Sequence, residues 1–276
     1  MLDSHIHIMS NEAPQSEKLS ASLARAGMTG GYFLSPPPAS FALQSTAAPS
    51  AEIRLQTVLN WCAGKPDWFP ALWLDPLDPD AGRQVDMAVQ AGIAGFKIIC
   101  THCDPGHPSV VRIAARIAET NRPVLFHSGI LWNGGDSSRY NRPAGFEALL
   151  QIRNLRFAMA HASWPWIDEC LAVYGKFQHA RRQDPDSHAE LFLDLTPGTP
   201  RIYREELYRK LLGIGYAVAD HILFGMDHLA EDYSAVGTLA WLETDRQLMR
   251  QFNAPEDGWN KLTELNLRRF IGRHAE

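Results

Sequence analysis

The sequence predicts an α/β fold, a (β/α)8 or TIM barrel built as a single domain from residues 1–276, and three observations predict it. Short apolar runs alternate with stretches of helical periodicity along the whole chain, instead of separating into a strand-rich and a helix-rich half. Eight such runs occur, in about the ~250 residues that an eightfold barrel takes. No linker, internal repeat or low-complexity tract divides the chain.

The first strand, Leu2 to Ile8, carries His5 and His7, and the helix after it, Ser16 to Ala26, stops at Gly27. Gly31 to Ser35 forms the second strand, Ala51 to Ala63 the second helix, and Trp68 to Leu74 the third strand, ending before Asp75-Pro76. The third helix runs from Pro79 to Ala91 and is closed by Gly92. Gly95 to Cys100 and Val124 to His127 are the fourth and fifth strands, with a helix from Pro108 to Thr120 between them. Pro108, like Pro143 at the head of a helix to Arg153, sits in a first turn whose N–H lacks an intrahelical partner anyway. Arg156 to Ala160 is the sixth strand, followed by a helix from Trp164 to Tyr174 that Gly175 ends. Glu190 to Leu195 is the seventh strand, Tyr203 to Ala219 its helix, and Ile222 to Gly225 the eighth strand, with two helices beyond. Three long loops belong on the ligand-bearing side: Pro36-Pro37-Pro38 with the Ala/Ser/Thr segment after it, Trp132 through Arg142, and Thr196 to Arg201.

Composition excludes several classes of function. Hydrophobic residues at 45% and charged residues at 21% describe an ordinary globular chain. A formal net charge of -5, with no local Lys/Arg cluster, supplies no field for nucleic acid. No apolar run reaches membrane-spanning length, and the opening residues read as a strand rather than a signal peptide, so a cytoplasmic enzyme is expected. Cys62, Cys100, Cys103 and Cys170 are then expected as reduced thiols. The Cys100-Thr101-His102-Cys103 spacing stands alone, without a second pair at zinc-ribbon distance, and reads as incidental.

The chemistry concentrates in a few positions. Strand side chains alternate between faces, so His5 and His7 in Asp3-Ser4-His5-Ile6-His7 project the same way, within reach of one metal ion. Further ligands are expected downstream. Lys97, His127, His161 and Asp227 each lie in or at the C-terminal end of an apolar run, where a parallel barrel gathers its catalytic groups. Imidazole nitrogen and carboxylate oxygen suit zinc, while manganese or iron would tolerate a related set. A divalent ion there lowers the pKa of bound water toward neutrality.

This constellation resembles the amidohydrolase superfamily, and most closely its amidohydrolase-related branch, which includes the aminocarboxymuconate-semialdehyde decarboxylase group. The motifs that carry the resemblance are Asp3-Ser4-His5-Ile6-His7, Gly95-Phe96-Lys97, Phe126-His127-Ser128-Gly129, Ala160-His161 and Leu223-Phe224-Gly225-Met226-Asp227. The resemblance implies that His5, His7, His127 and Asp227 bind the main metal and that Asp227 shuttles the proton of the attacking water. It implies that His161 contacts the substrate oxygen or ligates a second ion, and that Lys97 either is carboxylated and bridges two ions or has no such role in a one-metal centre.

Taken singly, these residues have ordinary readings too. A lone histidine on an apolar strand is usually a hydrogen-bonded core residue, and Lys97 could be paired with a carboxylate inside the barrel. Asp3 is expected to orient His5 or a backbone group rather than bind metal. His228 should point away from the side of Asp227, and Asp194 either orients a ligand or satisfies loop backbone, with structural use favoured. His102 either faces substrate or closes the loop to Gly106. Arg201, ahead of Arg139 and Arg142, is the candidate grip for a substrate carboxylate, and Trp132, with Trp164 and Tyr140, the candidate apolar wall.

The leading expectation is a hydrolase that uses metal-bound hydroxide on a lactone, ester or amide of a small, possibly carboxylated metabolite. A decarboxylase or hydratase using the same ion is the second, and a barrel that binds metal or metabolite without turnover is the third.

Overall fold

A computed structural model describes residues 1–41, 48–133, 135–198 and 200–273. Its organising element is a curved, all-parallel sheet in the order β8-β7-β6-β5-β4-β3-β2-β1-β9. The strands are β1 (Leu2–His7), β2 (Gly30–Leu34), β3 (Trp68–Leu74), β4 (Gly95–Ile98), β5 (Val124–Phe126), β6 (Arg156–Met159), β7 (Glu190–Asp194), β8 (Ile222–Leu223) and β9 (His228–Leu229). The eight expected strands are all there, and β9 is a resumption of the eighth past Phe224–Asp227. The ring closes through it: Ser4 N donates to Phe224 O at 2.8 Å, and Ile6 and His7 pair with His228 and Leu229. The fold is thus the expected (β/α)8 TIM-barrel type.

Outside the sheet lie α1 (Ser16–Arg25), α2 (Ala51–Cys62), α3 (Ala81–Gln90), α4 (Pro108–Glu119), the short α5 (Ser137–Tyr140), α6 (Ile167–Gln183), α7 (Arg204–Gly213) and α8 (Ala235–Gln251). After them come α9 (Gly258–Asn260), a π turn over Lys261–Leu265 and α10 (Asn266–Phe270). Three expected helices differ. The one at Pro143 is a 3-10 segment, Pro143–Leu149, and the one to Ala219 stops at Gly213 before a separate turn at Val218–Asp220. Gly175 does not end α6; it lies buried inside it, where an added Cβ would meet the Tyr216 hydroxyl at 2.5 Å, so close packing outweighs its low helix propensity. Part of the segment after Pro38, residues 42–47, lies outside the described residues, as do Gly134 and Thr199 in the other two loops.

Two apolar layers follow from the strand period of two. Ile6, Phe33, Leu72, Phe96, Phe126 and Phe157 face outward against the helices, whereas Leu2, Tyr32, Phe69, Leu125, Ala158, Phe192 and Leu223 fill the barrel. Leu267, Phe270 and Ile271 of the C-terminal helix plug the floor of that interior. Gly95 makes room for Tyr32, whose hydroxyl would lie 2.3 Å from an added Cβ and instead donates to Phe96 O. The next inward positions along the strands are polar: His5, His7, Lys97, His127, Asp194 and Asp227 stand above this apolar layer.

One irregularity sets the site. The β1–β2 register shifts by one residue between Asp3 and Ile6, a bulge in β1. Leu2 below it and His5 and His7 above it all face inward, although they differ in parity. Gly225 opposite supplies the space, since a Cβ there would lie 2.7 Å from Ser4 Oγ and 3.1 Å from His5 Cβ.

Candidate metal centre at the barrel mouth

His5 Nε2 and His7 Nε2 lie 3.1 Å apart, and Asp227 Oδ1 is 3.3 Å from the first and 3.1 Å from the second. These three form a cluster whose donor atoms could hold one ion. Lys97 Nζ is 3.3 Å from His5 Nε2, and His161 Nε2 is 3.8 Å from Asp227 Oδ2. The His127 ring meets the His161 ring edge-on at 5.0 Å. All six residues line one cavity of about 350 Å³.

Asp194 fixes the orientation of two imidazoles at once. Its Oδ2 is 2.7 Å from His5 Nδ1, and its Oδ1 accepts from Ser4 Oγ and from Thr196 N. Ser4 and His5 reach one carboxylate because the bulge turns both inward. Thr196 Oγ1 donates to Asp194 Oδ2 at 3.2 Å and therefore accepts from His161 Nδ1 at 2.8 Å. The protons of His5 and His161 are thereby assigned to Nδ1, leaving both Nε2 lone pairs directed into the cavity. Both expected uses of Asp194 meet here, since it accepts from the loop backbone at Thr196 N and contacts the His5 ring.

The electrostatics agree with this assignment. Burial pushes His5, His127 and His161 toward the neutral form, below the ordinary histidine range. Burial lowers Lys97 to about 8, with Asp227 and Asp194 opposing, and raises Asp194 to about 6, with His161 and Lys97 opposing. For Asp227 burial acts upward, yet the adjoining His5 and His7 outweigh it and keep the carboxyl ionised, well below the usual range. A buried His7 Nδ1 and a buried His127 Nε2 have no hydrogen-bond partner among the described residues. Converging imidazole lone pairs, one ionised carboxylate and an orphaned imidazole nitrogen beside them are the donor chemistry that a divalent cation satisfies.

The backbone around this centre is strained. His161, Ala162 and Ser163 have φ of 58°, 43° and 58°, and Asp227 has φ of 56°, a region costly for non-glycine residues and concentrated at functional sites. Asp3 holds that turn as expected, accepting from His5 N, Met226 N and Tyr233 Oη. His228 turns away and meets the Tyr233 ring edge-on at 5.3 Å.

Not every expected site residue comes here. Trp132 lines the cavity and stacks on Trp164 at 6.3 Å. Arg201 does not: its guanidinium donates to Thr244 and lies over Trp241, because the turn at Arg201–Tyr203 directs it onto α8. His102 lines a neighbouring depression with Cys100 and Tyr140 instead of the cavity that holds the histidines. Arg142 is bonded to Glu169, and Arg139 lies over Tyr140. Trp73, with its ring 5.3 Å from that of His7, is a cavity wall the sequence reading missed. The signal was available, since Trp73 is an inward position near the C-terminal end of β3. All four cysteines are free and buried, and no described helix is long and apolar enough to cross a membrane.

A family model described as amidohydrolase matches residues 3–252. No curated protein matches. Among solved structures, the chain is similar to a putative amidohydrolase from Staphylococcus aureus, with a TM-score of 0.66 and 11% identity over 98% of this chain and 99% of that one. It is similar to a probable 2-pyrone-4,6-dicarboxylic acid hydrolase from Acinetobacter baumannii with citric acid bound, with a TM-score of 0.61 and 11% identity over 98% of each chain. It is also similar to 2,6-dihydroxybenzoate decarboxylase from Rhizobium, with a TM-score of 0.59 and 15% identity over 98% and 97%. At these identities the likeness is one of fold.

Proposed function

The chain belongs to the amidohydrolase family, and on that premise we propose that it is a metal-dependent hydrolase of a lactone, ester or amide of a small organic molecule. The observation that carries this reading is the convergence of His5, His7 and Asp227, beside a His127 Nε2 without a partner among the described residues, in one cavity at the barrel mouth. In this proposal those four residues hold a divalent ion, zinc by preference, and residues 1–276 act as one cytoplasmic catalytic unit. The ion, when bound, supplies a charge that acidifies water and stabilises negative charge on a substrate oxygen.

The chain's own groups do the rest. Asp227, ionised beside its histidines, takes a proton from water at Oδ2, the oxygen turned toward His161, as the water oxygen adds to the carbonyl carbon, and returns it to the leaving group as that bond breaks. His161, with Nδ1 committed to Thr196, presents a lone pair at Nε2 and supports the same transfer as an acceptor. Lys97, partly neutral near its lowered pKa, stands 3.3 Å from His5 Nε2 at the cavity floor, where it can donate to substrate. The apolar walls shed water around the reacting group.

Decarboxylation of a small acid is the second reading, favoured by the predominantly apolar lining of the cavity, in which loss of a carboxylate charge is assisted by desolvation. Turnover in ¹⁸O-labelled water separates the two: hydrolysis places one label in the new carboxylate, whereas release of carbon dioxide with no label in the organic product decides for the lyase. Asp227→Asn is expected to lose about 10²–10⁴-fold in turnover; a fully active variant would remove Asp227 from the mechanism.

A further inference from the structure

We infer that the substrate is a flat, single-ring molecule whose one anionic or polarised group lies at the metal end, with an uncharged apolar remainder held at the mouth by Trp132 and Trp164, and that dicarboxylates are rejected. The inference rests on the functional reading above, which places the reacting group beside His5, His7 and Asp227.

The distribution of charge in the cavity carries it. Lys97 is the one lysine or arginine among the described residues that line the cavity, and it lies at the floor against His5. The residues outside the description, 42–47, 134, 199 and 274–276, contain no lysine or arginine. The three loop arginines are engaged elsewhere, with Tyr140, Glu169 and Thr244. Toward the mouth the walls are Ile130, Leu131, Leu229 and the two tryptophans, whose planes lie within 20° of parallel. Among the described lining residues Asn133 is the polar side chain there, and its amide is a neutral donor without charge, with Oδ1 accepting from Gly135 N at 3.0 Å. A second carboxylate at that end would displace water from apolar walls and find no cation to pair with. The volume of about 350 Å³ is at the low end for small-molecule sites, and near-parallel indoles favour a flat occupant.

Two near-isosteric probes test this. 4-Methylbenzoate and terephthalate differ at one ring position, methyl against carboxylate, and their binding to zinc-loaded and metal-stripped protein can be titrated by calorimetry. The methyl compound should bind at least about tenfold more tightly. Trp132→Ala, at a position 77% exposed, should weaken it several-fold without changing metal content, and Leu229→Arg should raise the affinity for terephthalate. Terephthalate binding as well as or better than 4-methylbenzoate, or an unchanged affinity in Trp132→Ala, overturns the inference. Metal analysis of the same samples separates the two possible failures. Protein that takes up no divalent ion removes the functional reading, whereas loaded protein with the reverse ranking removes only the substrate class.

Discussion

Both ends of the barrel collect polar and charged side chains, and they treat them in opposite ways. At the floor the groups are matched. Glu190, at the start of β7, accepts from Arg269 and pairs with His221, Arg156 bonds to Asn121 and to Phe270 O, and Arg268 lies between Asp67 and Glu264. Asn266 bonds to the carbonyls of Ala219 and Ile222, both at 2.8 Å. At the mouth the groups are crowded and only partly matched: imidazole nitrogens face each other at 3.1 Å, buried nitrogens lack partners among the described residues, Lys97 is depressed and Asp194 raised, and the positive-φ residues there, His161, Ala162, Ser163 and Asp227, are neither Gly nor Asn. The contrast teaches where this chain is built for stability and where for binding, since unsatisfied and strained groups persist only where the surrounding packing holds them.

The largest expected effect breaks the mouth. His5→Ala should lose its bound metal and more than about 100-fold of turnover, beyond what a change to a group merely supporting a ligand costs, while the metal-free protein unfolds at a similar denaturant midpoint. Metal analysis and urea titration check both; a large loss of metal-free stability would show that the histidine cluster is structural, like the floor. Next comes the floor itself. Burial alone would raise Glu190, but His221 and Arg269 bring it down to about 2. A carboxyl with a depressed folded pKa contributes stability above its unfolded pKa of about 4.3, and that contribution is lost as pH falls toward 2. Wild type should therefore exceed Glu190→Gln by up to about 3 kcal/mol at pH 7, with the gap closing between about pH 4 and 2. A gap independent of pH would deny the ion pair its role. The smallest effect sharpens the contrast: Thr196→Val removes the hydroxyl between His161 and Asp194 and should cost about tenfold in turnover with metal content unchanged. Loss of the metal as well would place His161 among its ligands.

Strand positions and the gathered histidines were legible in the sequence because a period of two and the C-terminal ends of apolar runs are local signals. The relations that organise the site are not local. Asp194 looked structural because its partners, Ser4, His5 and Thr196, come from two strands brought together only by barrel closure. Arg201 looked free because nothing in its own segment announces Thr244 and Trp241 on α8. Gly175 carried a genuine stop signal that packing against Tyr216 overrode. Trp73 was readable from alternation alone, as the inward residue two positions after Ala71.

The extra residue in β1 works as a phase converter. Below it even-numbered side chains look inward, above it odd-numbered ones do. Straightening the strand with every residue kept would swing the imidazoles out among the helices and bring Ile6 and Ile8 to the axis, whereas deleting Ser4 would restore an unbroken pleat with His5 and His7 still inward. A strand transplanted into another barrel by matching its hydrophobic pattern would arrive with its ligands on the wrong side unless the stagger, and the glycine facing it, travelled along.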